Sequence, residues 1–188
     1  MDQLLVQTRL ELAGVSPESG KPLWRQPVKA FRGMNILTPI VYENGFFTST
    51  YGGRTSLFQS VSDSEGIDVK LAWDNKLQGY MSTPVVVDGH AYIHLRNTRF
   101  ACVKLATGEI TWTTSERFGK YMSLVVQGDK ILALDQKGAL FLFRANPAKF
   151  EQLDKRKIAD DETWAHLAVA GHELFVRELN AITAYEWR

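Results

Sequence analysis

The chain has 188 residues, 45% apolar, 23% charged and 11% aromatic, which excludes a disordered, collagenous or coiled-coil protein. Its 22 basic residues face 21 acidic ones, a net charge of +1, which speaks against a phosphate-tracking nucleic-acid binder. One cysteine, Cys102, allows no internal disulfide and no cysteine-based zinc site, and no apolar run is long enough to span a bilayer.

Residues 1–28 open with Met-Asp-Gln-Leu-Leu-Val, which lacks the basic n-region of a signal peptide. They predict three strands of a partial repeat, without its innermost strand. The segment Pro22–Pro27 has proline at both ends, which an outer strand tolerates, and could serve as the outer strand of the last repeat. Residues 29–77 carry Thr-Pro-Ile-Val-Tyr-Glu-Asn-Gly-Phe-Phe-Thr-Ser-Thr at 38–50. Residues 78–117 carry the matching Thr-Pro-Val-Val-Val-Asp-Gly-His-Ala-Tyr-Ile-His-Leu at 83–95. Further copies start at Met122, within residues 118–158, and at Ala165, within a partial repeat over 159–188. The turn positions Asn44, Gly89, Gly128 and Gly171 lie 45, 39 and 43 residues apart. Each turn needs a residue that accepts positive φ, and each is flanked by short apolar strands. Strong β residues with turn signals every 8–12 residues indicate an all-β chain. The period suits a propeller blade of four antiparallel strands. The expected architecture is a single array of about four to five blades. At that period the chain holds three whole blades and two partial ones, so an incomplete or partner-completed ring is expected.

A second signature sits before the outer strand. Ser/Thr-Gly, three residues, then Trp recurs at Gly20/Trp24 and Gly108/Trp112, and Trp73 closes the intervening copy after Ser64-Glu65-Gly66. Glycine makes the turn, and a flat indole between blades buries much area at small entropic cost. The copy at 145–158 has neither this turn nor this tryptophan.

These repeats resemble the PQQ-like β-propeller family, which includes pyrroloquinoline-quinone dehydrogenases, cofactor-free relatives and a propeller-type outer-membrane assembly lipoprotein. The resemblance implies a periplasmic or extracytoplasmic setting, and the sequence leaves a cytoplasmic one open. The family pattern has Asp four residues before the turn glycine, where this chain has Ser16, Ser62 and Lys104. The family's dehydrogenases stack their quinone on a vicinal disulfide, which one cysteine cannot form. No Glu, Asn and Asp set matches their calcium and base positions, so no catalytic residue is carried over. Neither PQQ nor calcium is expected, and the chain reads as a diverged, cofactor-free member.

One constellation stands out as a candidate site. Tyr80, Ser82, Tyr121, Ser123, Trp164 and His166 lie at the starts of the innermost strands, which in a propeller converge on one mouth of the central channel. Aromatic rings and small polar groups there suit a peptide or a polar ligand. Alternatively, they plug the funnel. His90 and His94 sit roughly 13 Å apart along one strand, too far to share a metal, and His90 and His172 are expected to face solvent. Asp160-Asp161-Glu162 reads as a solvated connector and Lys155-Arg156-Lys157 as a basic outer strand that discourages edge pairing. Cys102 reads as a buried inert thiol. The function expected first is a protein- or peptide-binding, or self-associating, assembly scaffold. A small-ligand sensor at the channel mouth ranks second and the C-terminal part of a PQQ-dependent dehydrogenase third.

Overall fold

The computed structural model describes residues 2–63 and 66–186. The expected turn at Ser64-Glu65 and the terminal Trp187-Arg188 lie outside the described residues. The chain is all-β, with five antiparallel sheets and, among the described residues, one short 3-10 turn at Phe31–Gly33. Two compact units are distinguished. The first comprises Met1–Met81 with Lys104–Glu109, and the second Ser82–Val103 with Ile110–Arg188.

The first sheet has three strands, β1 (Leu4–Gln7), β2 (Glu11–Val15) and β3 (Pro22–Pro27), in that order. Thus Pro22–Pro27 pairs with its own neighbour β2 rather than completing the last sheet. The second sheet runs β4 (Ile40–Tyr42), β5 (Gly45–Ser49), β6 (Thr55–Asp63) and β7 (Gly66–Asn75). The third runs β8 (Val85–Val87), β9 (His90–His94), β10 (Phe100–Lys104) and β11 (Ile110–Thr113). The fourth runs β12 (Met122–Gln127), β13 (Lys130–Asp135), β14 (Ala139–Arg144) and β15 (Glu151–Lys157). The last has three strands, β16 (Ala168–Ala170), β17 (Glu173–Arg177) and β18 (Ile182–Glu186).

The hairpin turns refine the sequence reading. Tyr42 pairs with Gly45, Val87 with His90, Gln127 with Lys130 and Ala170 with Glu173, so each loop has two residues. Positive φ falls on the first loop residue in every case: Glu43, Asp88, Gly128 and Gly171. Asn44, expected to take that role, does not; both hairpin turn types place the left-handed residue first.

The middle strands β5 and β9 are almost wholly buried, whereas β15 is almost wholly exposed. In the first unit Leu12, Trp24, Phe46, Phe58 and Val69 form one cluster. In the second, Tyr92, Phe100, Phe118, Phe141 and Phe143 form an aromatic core around Cys102 and Met122. Each such ring contributes about 1.5–3 kcal/mol by leaving water. Leu134, Leu140, Leu167, Leu174 and Val176 form a further aliphatic cluster.

Three outer strands share one irregularity. Gly14 pairs with Trp24 and Val15 with Pro22, skipping Leu23. Leu57 pairs with Trp73 and Phe58 with Leu71, skipping Ala72. Cys102 pairs with Trp112 and Val103 with Ile110, skipping Thr111. Each bulge re-aims the residue after it, and that residue is tryptophan each time. Trp24 stacks on Phe46 at 4.8 Å. The Trp73 indole donates to the Leu105 carbonyl at 2.6 Å, which seats the Lys104–Glu109 turn with the first unit. Trp112 donates to the Asn146 carbonyl at 2.9 Å. Gly20 (φ 67°) and Gly108 (φ 76°) are left-handed turn residues. At Gly108 a Cβ would lie 2.5 Å from the Trp73 ring, so glycine is required there twice over.

Candidate functional site

Of the six candidate residues, Tyr80 belongs to the first unit, where its ring packs on Tyr51 at 4.9 Å. Ser82, Tyr121, Ser123, Trp164 and His166 belong to the second. There Tyr121 is the hub. Its ring is buried, stacks on Trp164 at 6.0 Å and 21°, and meets His166 edge-on at 6.0 Å. Trp164 is 40% exposed and His166 is exposed, so together they present an aromatic shelf to solvent over a buried support. The Trp164 indole N–H donates to the Glu162 carboxylate at 2.8 Å, which fixes the ring's orientation.

The two serines are buried and act on the backbone. Ser82 Oγ accepts the Met122 amide at 3.0 Å, and Ser123 Oγ accepts the Leu167 amide at 3.0 Å. Each ties an early segment of the unit to the start of a later sheet. Ser123 Oγ also lies 3.5 Å from His166 Nδ1, and Ser82 Oγ 3.2 Å from His94 Nδ1.

His94, Asp135, Gln136 and Thr163 complete the support and were not among the site residues expected from sequence. All four are buried. The Asp135 carboxylate accepts the amides of Gly119, Lys137 and Ala139 at 3.0–3.1 Å. Gln136 accepts the Tyr121 amide at 3.2 Å, and Thr163 donates to the Asp135 carbonyl at 2.6 Å. The available signal was a polar pair, Asp135-Gln136, closing an otherwise apolar strand. Such a pair is tolerated in a core only when its hydrogen bonds are met.

Burial sets the titration of this support. Desolvation lowers the His94 imidazole to about 4, with the Gly119 backbone pulling weakly the other way. His94 Nε2 makes no hydrogen bond of normal geometry. Burial raises the Tyr121 phenol, partly offset by the Ser123 hydroxyl, and it also raises the Cys102 thiol. Both therefore stay neutral near pH 7. His90 is partly exposed, with Nδ1 2.8 Å from the Asp88 carbonyl oxygen, and His172 is exposed. Among the described residues no group of three His, Cys, Asp or Glu side chains is placed to hold a metal, and no helix is long and apolar enough to cross a membrane.

Four-stranded antiparallel sheets repeating along the chain, with an indole behind each of three outer-strand bulges, define a β-propeller protein. A family model described as outer membrane protein assembly factor BamB matches residues 1–114, more than half of the chain. The chain belongs to this family of PQQ-like β-propellers. The crystal structure of BamB from Moraxella catarrhalis is similar at a TM-score of 0.73 and 16% identity, over 98% of this chain and 56% of that one. The chain thus spans little more than half the length of that relative. The computationally designed Ika4 protein is similar at a TM-score of 0.59 and 9% identity, over 100% of both chains. No curated protein matches the sequence.

Proposed function

We propose that the chain is a non-enzymatic, protein-binding assembly scaffold that docks a segment of its partner on the Trp164–His166 shelf. The observation that carries this reading is the exposed Trp164 ring held flat on buried Tyr121. Rigid, half-exposed aromatic rings on a fixed support are the residues that dominate protein interfaces. The family's description as an outer membrane protein assembly factor supports the same reading. No quinone or calcium belongs to it. The lone Cys102 is buried in the sheet core, and the Asp135 carboxylate beside the site is occupied by three backbone amides, so these residues do not fit a calcium–quinone centre.

The test places a photo-crosslinking phenylalanine analogue at position 164 in the native cell, with position 172 as the control. A discrete cross-linked protein from 164 and none from 172 is expected. Equal labelling from both positions, or none from either in a folded protein, overturns the reading. Trp164→Ala is expected to abolish partner capture while leaving the melting temperature nearly unchanged, because the ring covers little core.

A further inference from the structure

The fourth sheet keeps the bulge of the other outer strands and loses the tryptophan. Leu142 pairs with Asp154 and Phe143 with Gln152, skipping Leu153. Asp154 therefore stands where Trp24, Trp73 and Trp112 stand. Its carboxylate cannot fill an indole's space and instead turns back on its own strand. It accepts the Lys155 amide at 2.8 Å and Arg156 Nε at 3.0 Å.

The space beside it is open. A groove of about 250 Å³ lies there, walled by Leu140, Leu142, Ile158, Leu174 and Tyr185, with Asp154 on its rim. That exceeds the roughly 150 Å³ cavity that accepts benzene in an engineered core. In the second unit's intact counterpart the Trp112 ring packs against Phe100, at 6.1 Å, and Phe150, at 5.8 Å. The repeat itself thus shows what belongs in such a slot, namely an indole.

We infer that this groove receives a tryptophan side chain supplied by an extended segment of a protein partner. Three features select that occupant. The wall is mostly apolar, and its volume exceeds that of a cavity that takes a single aromatic ring. The register position at Asp154 is the one that an indole fills in the other sheets, at Trp24, Trp73 and Trp112. Among the described residues β18 pairs with β17 alone, an arrangement to which an extended chain can add, and Ile182 on it is exposed. The inference rests on the protein-binding reading above and adds a second, independent contact.

The probe is the blocked tripeptide acetyl-Gly-Trp-Gly-amide, titrated into the methyl-labelled full chain and followed by NMR. Saturable shifts at Leu140, Leu142, Ile158 and Leu174 are expected, larger than those from acetyl-Gly-Leu-Gly-amide. Asp154→Trp fills the slot from within and is expected to weaken peptide binding at least about tenfold. Asp154→Ala leaves the slot open and should bind as the parent does. Absence of saturable shifts up to the peptide's solubility limit overturns the inference whether or not Asp154→Trp folds. Shifts unchanged in a folded Asp154→Trp also overturn it. Tighter binding of free zwitterionic tryptophan overturns it in favour of an aromatic metabolite. A dimer in sedimentation that the peptide dissociates overturns it in favour of a second copy of this chain. A failed titration with the position-164 cross-link intact removes the slot alone. A successful titration with no cross-link removes the shelf alone.

Discussion

His94 is the residue whose chemistry reaches furthest from its place. Its imidazole is buried beside Ser82 and holds its proton only below about pH 4, against 6.5 when free. Between those values the unfolded chain binds the proton and the folded one does not. Stability contributed by neutral His94 is therefore fully present above pH 6.5 and is lost as pH falls toward 4. The full shift corresponds to a loss on the order of 3 kcal/mol. Urea unfolding across that window should show the slope in the parent and a shallower one in His94→Asn. Parallel curves would reject this assignment. None of this was legible from sequence. His94 was read there only for its distance from His90, because burial of its ring depends on residues distant in sequence, such as Ser82 and Gly119. The Tyr121, Trp164 and His166 grouping was legible, since repeat alignment brings strand starts together. That Tyr80 belongs to the first unit was not, because alignment says nothing of which unit a linker residue joins.

At the scale of the element, the outer strand and the turn before it form one device. Gly108 takes a left-handed φ under the face of Trp73, and the same turn offers its Leu105 carbonyl to the indole. Gly108→Ala should therefore destabilise twice, through backbone strain and through displacement of the ring, by about 2–4 kcal/mol together. In a Trp73→Ala background only the backbone part, about 1–2 kcal/mol, should remain. A double-mutant cycle by denaturant unfolding measures the difference, and strict additivity would show that ring and turn do not interact. The Gly-to-Trp spacing made this device visible in sequence at Trp24 and Trp112. The bulges were invisible, because a skipped residue leaves no mark in composition: Leu23, Ala72 and Thr111 have nothing in common.

For the whole molecule, the all-β blade architecture followed from turn spacing and the aligned β-rich repeats, and the antiparallel sheets agree with it. Function did not follow, because the same sheets carry either quinone chemistry or docking surfaces. The docking reading expects no saturable change in quinone absorbance on adding PQQ and calcium to the full chain. Saturable binding with dye reduction would instead support a dehydrogenase. The family model's match stops at residue 114, just past Trp112, the last blade tryptophan among the described residues, while similarity to the BamB fold runs over 98% of the chain. The bulge retained at Leu153 without its tryptophan has a consequence for ancestry. The four outer strands share the hydrogen-bond register although the side chain it aims differs at Asp154. Counting units by register would assign this last outer strand to the same lineage as the other three, where counting by motif loses it.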